Sequence, residues 1–111
     1  MKYWYKKIAI CIVLLGFLGI FVSNAVMAEP SLKALLITGQ NNHRWDLSFP
    51  ILKEALEKTG LFQVDVLQTP PQGGDFSTFN PEFQKYQVVV LDYNGDSWPE
   101  PVQQAFVSYV E

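Results

Sequence analysis

Hydrophobic positions change their period along the chain, and each change marks an element. Leu35–Thr38 (LLIT) is a short apolar run closed by Gly39, which predicts a buried strand. Ile51, Leu52, Ala55, Leu56 and Thr59 recur at helical spacing and predict a helix over Ser48–Lys58. In that reading Ser48 is the N-cap, Pro50 sits in the first turn and Gly60 stops the helix. Phe62–Leu67 (FQVDVL) alternates as a strand near an edge does, and Gln68–Thr78 (QTPPQGGDFST) breaks into a loop. Asn80-Pro81 can open one helical turn, with Phe83 and Tyr86 facing inward. Gln87–Asp92 (QVVVLD) predicts the most apolar strand, Tyr93–Trp98 (YNGDSW) a turn, and Pro99–Glu111 a second helix with Val102, Ala105, Phe106, Tyr109 and Val110 on one stripe.

Strands alternating with helices imply a parallel α/β sheet. Right-handed crossovers on both connections place the first strand between the other two. VVVL is apolar on both faces, as expected where layers cover both sides of a sheet. With no charge and no further strand beside it, VVVL would be an exposed edge. The expectation is therefore a C-terminally truncated first half of a longer domain: about three strands and two main helices over residues 29–111.

The N-terminal pattern is of another kind. Three lysines in Met1–Lys7 precede the uncharged run Ile8–Val22, and small residues Val26 and Ala28 stand before Glu29. This predicts a secretory signal peptide over residues 1–28, or a signal anchor, although the run is shorter than the ~20 residues of a spanning helix. The protein is then exported, periplasmic or extracellular, and meets a membrane only through this segment.

Cleavage after Ala28 changes the charge. Of eight basic residues Lys2, Lys6 and Lys7 are lost, so five face eleven acids, a formal net charge of −6. That excludes a nucleic-acid binder, which draws most of its affinity from a basic surface. The only cysteine, Cys11, falls within the leader, so residues 29–111 carry no disulfide, thiolate metal site or cysteine nucleophile.

Ligands of parallel α/β sheets bind beyond the carboxyl ends of the strands. Two polar loops leave that edge: Gly39–Asp46 (GQNNHRWD) and Asp92–Trp98 (DYNGDSW). If their strands are neighbours, the loops meet and bring amides, His43, aspartates and two tryptophans together. Amides hydrogen-bond hydroxyls and an indole offers a flat apolar face, a mixture suited to a sugar. Gln40, Asn42, Trp45, Asn94 and Asp96 are the candidate ligand-binding residues, and His43 is the candidate acid/base because an imidazole exchanges a proton near neutral pH. Each has a structural alternative. Asp46 or Ser48 can cap a helix, Asn41 and Asn42 can supply turn geometry, and Trp45 and Trp98 can lid the core. The chain lacks G-x-G-x-x-G, a Walker loop and G-x-S-x-G, and nothing sets Asp92 and Asp96 apart as a glycosidase pair. One histidine with scattered aspartates leaves the metal question open, since a site needs three or four ligands.

The stretches LLITGQNNHRWDLSFPILKEALEKTGLFQVDV, TPP at Thr69–Pro71 and FNPEFQKYQVVVLDYNGDSWP resemble the ThuA-like (trehalose-utilisation) family over about Leu32–Glu111. The specific matches are TGQNNH-x-W and YNGDSWP; Asp92 departs from the asparagine or serine common in relatives. The resemblance implies a flavodoxin-like fold of the class I glutamine amidotransferase-like superfamily, here its N-terminal half. It also implies a link to trehalose or related sugars without a cysteine nucleophile, and a metal could be completed by residues beyond Glu111. The alternatives are a non-catalytic sugar-binding module, an interaction domain or a nonfunctional fragment.

Overall fold

The computed structural model describes Glu29, Pro30 and residues 32–111, so the expected leader over Met1–Ala28 lies outside the described residues. Three strands form one parallel sheet: β1 (Leu32–Thr38), β2 (Phe62–Gln68) and β3 (Val88–Leu91), in the order β2-β1-β3. The register runs from Leu32 opposite Phe62 to Thr38 opposite Gln68, and from Ala34 opposite Val88 to Ile37 opposite Leu91. This is the α/β architecture expected, consistent with a partial flavodoxin-like fold, with the first strand central.

Side chains of the central strand alternate between two layers. Ala34 and Leu36 pack with Val64 beneath Phe49 and Leu56 of α1 (Trp45–Glu57). Leu35 and Ile37 pack with Phe79 and Phe83 beneath Val102, Phe106 and Tyr109 of α2 (Glu100–Val110). β3 follows suit, with Val88 and Val90 turned to the α1 side and Val89 to the α2 side. The α2 side is the more aromatic. Phe83, in a single 3-10 turn at Phe83–Lys85, lies 5.2 Å from Phe106 and 5.9 Å from Tyr109, ring centre to ring centre. Burying such rings supplies most of the driving force available to so small a core.

Four expectations need correction. α1 begins at Trp45, three residues before Ser48, and Ser48 is no cap: the N-cap position is Arg44, without a side-chain cap bond. Asp46 makes no cap bond either; it pairs with Arg44 through two short bonds of 2.8 and 2.6 Å. Pro50 therefore lies inside the helix rather than in its first turn, and the carbonyl it leaves without an N–H belongs to exposed Asp46. The earlier start also rotates the buried face. Phe49 and Leu56 face the sheet, whereas Ile51 and Leu52 are exposed, as are Ala55 and Thr59. On α2, Ala105 and Val110 leave the predicted stripe for solvent. Gly60 still ends α1, with φ of 71° and its N–H bonded to the Glu57 carbonyl, one position after the expected place.

Candidate functional site

All three strands end at the same edge, and their loops are tied together by two side chains. The first is Gln40, just past β1. Its Nε2 donates to the Pro70 carbonyl at 2.8 Å, and its Oε1 accepts the Asp96 backbone N–H at 2.9 Å. Its own carbonyl accepts the Asn94 N–H at 2.9 Å. One buried glutamine thus holds the loops after β1, β2 and β3. Asp96 completes the brace: its Oδ2 accepts the Gly73 N–H at 2.6 Å and its carbonyl accepts the Tyr93 hydroxyl. Glycine is required where these loops approach each other. A Cβ on Gly39 (φ 124°) would stand 2.5 Å from Thr69 Oγ1 and 2.8 Å from its backbone nitrogen, and one on Gly95 would stand 2.3 Å from Gln40 Oε1.

The second tie is Asp92, the residue after β3, only 7% exposed. A carboxylate withdrawn from water needs donors; three side chains supply them and a fourth stands close. Ser48 Oγ donates to Oδ2 at 2.8 Å and Thr38 Oγ1 to the same oxygen at 3.3 Å. Asn41 Nδ2 reaches Oδ1 at 3.5 Å, and His43 Nε2 lies 3.3 Å from that oxygen. Serine and histidine thus both turn to the carboxylate. That is not the order of a nucleophile–base–acid relay, in which the histidine would stand between them.

Between the loops lies an open cleft of about 510 Å³ lined by Gly39, Gln40, Asn41, Asn42, Trp45, Pro71, Gln72, Asn94 and Gly95. Five of these carry primary amides, and Trp45, stacked on Phe49 at 6.3 Å, contributes the aromatic face. None of the nine has a titratable side chain.

The structure divides the expected residues. Gln40, Asn42, Trp45 and Asn94 line this cleft together. Asp96 lies behind it as a brace and lines a shallower recess with Tyr93 and Trp98. His43 has a half-exposed side chain turned to Asp92 and is not among the lining residues, although Asn42 before it and Trp45 two positions after it are. Trp98 is a core lid, 5.7 Å from Phe79 and 5.8 Å from Phe106, with its buried Nε1 unpaired among the described residues. Sequence reasoning missed Asn41, Pro71, Gln72 and Asp92. The signal for Pro71 and Gln72 was present: β2 runs parallel to its neighbours, so its carboxyl-end loop must leave by the same edge. Among the described residues no group of three or more His, Cys, Asp or Glu side chains is placed to hold a metal ion, and no helix is long and apolar enough to cross a membrane.

The cleft lies at the carboxyl edge of a parallel α/β sheet, the side on which ligands of such sheets generally bind. The comparisons then narrow the class. A solved structure of a ThuA-like protein from Parabacteroides merdae ATCC 43184 superposes with a TM-score of 0.70 at 56% identity, covering 73% of this chain. This likeness supports the ThuA-like family for the chain. The chain spans 29% of that protein's length. No family model matches, and no curated protein does.

Proposed function

We propose that the cleft recognises a neutral, polyhydroxylated ligand of the trehalose type, in an exported protein of which residues 29–111 form the N-terminal part of a ThuA-like domain. The observation that carries the reading is the cleft wall itself: five primary amides around one indole, with no charge. Gln40 and Asn41 use their amides in the loop bridges, whereas Asn42, Gln72 and Asn94 each present a donor and an acceptor, which matches a hydroxyl, and a neutral wall does not select for an ionised ligand. Export rests on the Met1–Ala28 pattern, and the partial-domain reading on the unpaired outer edge of β3 and the likeness to part of a longer protein.

Recognition without turnover is the reading favoured for the described residues, because the wall lacks an acid, a base and a nucleophile. Turnover would draw on His43 beside the cleft, or on groups that a longer protein brings to it. The test is calorimetry of the full-length protein against trehalose and other disaccharides, with the recovered sugar analysed chemically. Binding of intact sugar, weakened roughly tenfold by Asn94→Ala, supports the reading. Saccharide consumption abolished by His43→Gln would make the site catalytic. No binding across the panel, at concentrations where the protein is folded, would reject it.

A further inference from the structure

We propose that Asp92 is the positioning residue of this site: its buried carboxylate fixes Asn41 and His43, and through them the β1–α1 loop that forms one wall of the cleft. The proposal rests on the sugar-site reading for its ligand, but its geometry stands apart from it. Asp92 receives one side-chain donor from β1 (Thr38), two contacts from the following loop (Asn41 and His43) and one donor from α1 (Ser48). Its backbone N–H bonds the Ile37 carbonyl at 2.9 Å, which locks it to the central strand. The two oxygens divide the work. Oδ2 takes the hydroxyls of regular elements, and Oδ1 takes the loop. Tying β3 to β1 and α1 needs only the first set. The second reaches residues that line or adjoin the cleft: Asn41 lines it, and His43 lies between the lining residues Asn42 and Trp45.

The same approach biases the tautomer of His43. A carboxylate oxygen 3.3 Å from Nε2 favours the proton on that nitrogen in the neutral ring, leaving Nδ1 as the nitrogen able to take a proton. An amide in place of the carboxylate can keep most of the geometry. Its oxygen can face Asn41 and His43, while its NH2 donates to the hydroxyls of Ser48 and Thr38, which turn to accept. An alanine can do neither.

The experiment compares Asp92→Ala and Asp92→Asn in the full-length, 15N-labelled protein, reading disaccharide affinity and the imidazole nitrogen shifts, with His43 assigned through His43→Gln. Asp92→Ala is expected to weaken binding roughly tenfold and to relax His43 toward mixed tautomers, and Asp92→Asn to restore affinity to within about threefold of wild type with the Nε2–H tautomer kept. Wild-type affinity and tautomer in Asp92→Ala would overturn the proposal. If Asp92→Ala does not fold, Asp92→Ser takes its place, since it keeps one hydroxyl near Thr38 and Ser48 but carries no second oxygen for Asn41 and His43: a loss of affinity in the same direction supports positioning, and an unchanged affinity overturns it. If the wild type binds no disaccharide, the sugar reading fails on its own. Asp92 is then judged by the imidazole signals, which must relax in Asp92→Ala for the positioning role to stand.

Discussion

At the carboxyl edge of the sheet, polar side chains bridge one loop to the next, whereas along the outer flank of β3 and α2 large apolar side chains stand in solvent. Gln40 and Asp92 between them tie β1, α1 and all three strand-end loops. Leu91 of β3 is 47% exposed, and Val107 and Val110 of α2 are 49% and 61% exposed. The difference shows what each region depends on. The site is held by bonds between residues of this chain, so its shape is fixed by the local sequence. Among the described residues the flank has an unpaired strand edge and uncovered apolar surface, features that proteins ordinarily pair, cover or charge.

The contrast can be broken hardest at the crowded end. Gly39→Val should destabilise the fold by about 3 kcal/mol or more, because the added side chain meets the Thr69 backbone and φ is 124°. Urea unfolding checks it, and a near-neutral outcome would mean that the loops are not packed as described. Phe83→Ala, beneath α2, should cost about 3–5 kcal/mol in the same assay, since the residue is 2% exposed among three aromatic neighbours.

A middle-sized effect comes from Gln40→Ala, which removes two bridging bonds and leaves the half-buried Asp96 N–H without its acceptor. The expected loss is about 2 kcal/mol, with faster amide exchange at Asn94 and Asp96 than at Val89. Val110→Lys sharpens the other side of the comparison. In residues 29–111 alone it should change stability by less than about 0.5 kcal/mol. In a longer protein whose next strand and helix cover this flank it should cost several times more, and equal small effects in both would count against such a cover.

The smallest effect is electrostatic. Burial raises the phenol of Tyr93 above its ordinary 10.0, with the Asp96 charge adding to it; burial also raises Tyr86, with its hydrogen bond to Asp65 second. Both neutral phenols are favoured in the folded state, so their contribution is complete below pH 10.0 and is lost as pH climbs through the raised values. The urea midpoint should fall slightly between about pH 8 and about pH 11 in wild type, and by less in Tyr86→Phe.

Much of the fold could be read from period alone. Short β-rich runs alternating with a 3.6-residue pattern sufficed for the parallel sheet and its order, because handed crossovers leave few alternatives. The helix faces were harder. Ile51 and Leu52 continue a helical pattern as well as Phe49 and Leu56 do, and only the start at Trp45 and packing against β1 and β2 decide which pair is buried. In the site, the amide-rich loop after β1 was visible as a sudden change of composition at Gly39. Asp92 was not, because an aspartate at a strand end looks the same in sequence whether it caps, solvates or gathers donors from three elements. Ser48 was read as a cap for the same reason: its partner lies 44 residues away.

The most direct test of the central claim is a titration of the 15N-labelled full-length protein with trehalose, following the side-chain amides. Saturable shifts concentrated on Gln40, Asn41, Asn42, Gln72 and Asn94 and on the Trp45 indole, with Trp98 unmoved, are the result expected of a sugar cleft at the strand ends. Saturable shifts that spare these six side chains, or no shifts at all in a folded sample, would contradict it.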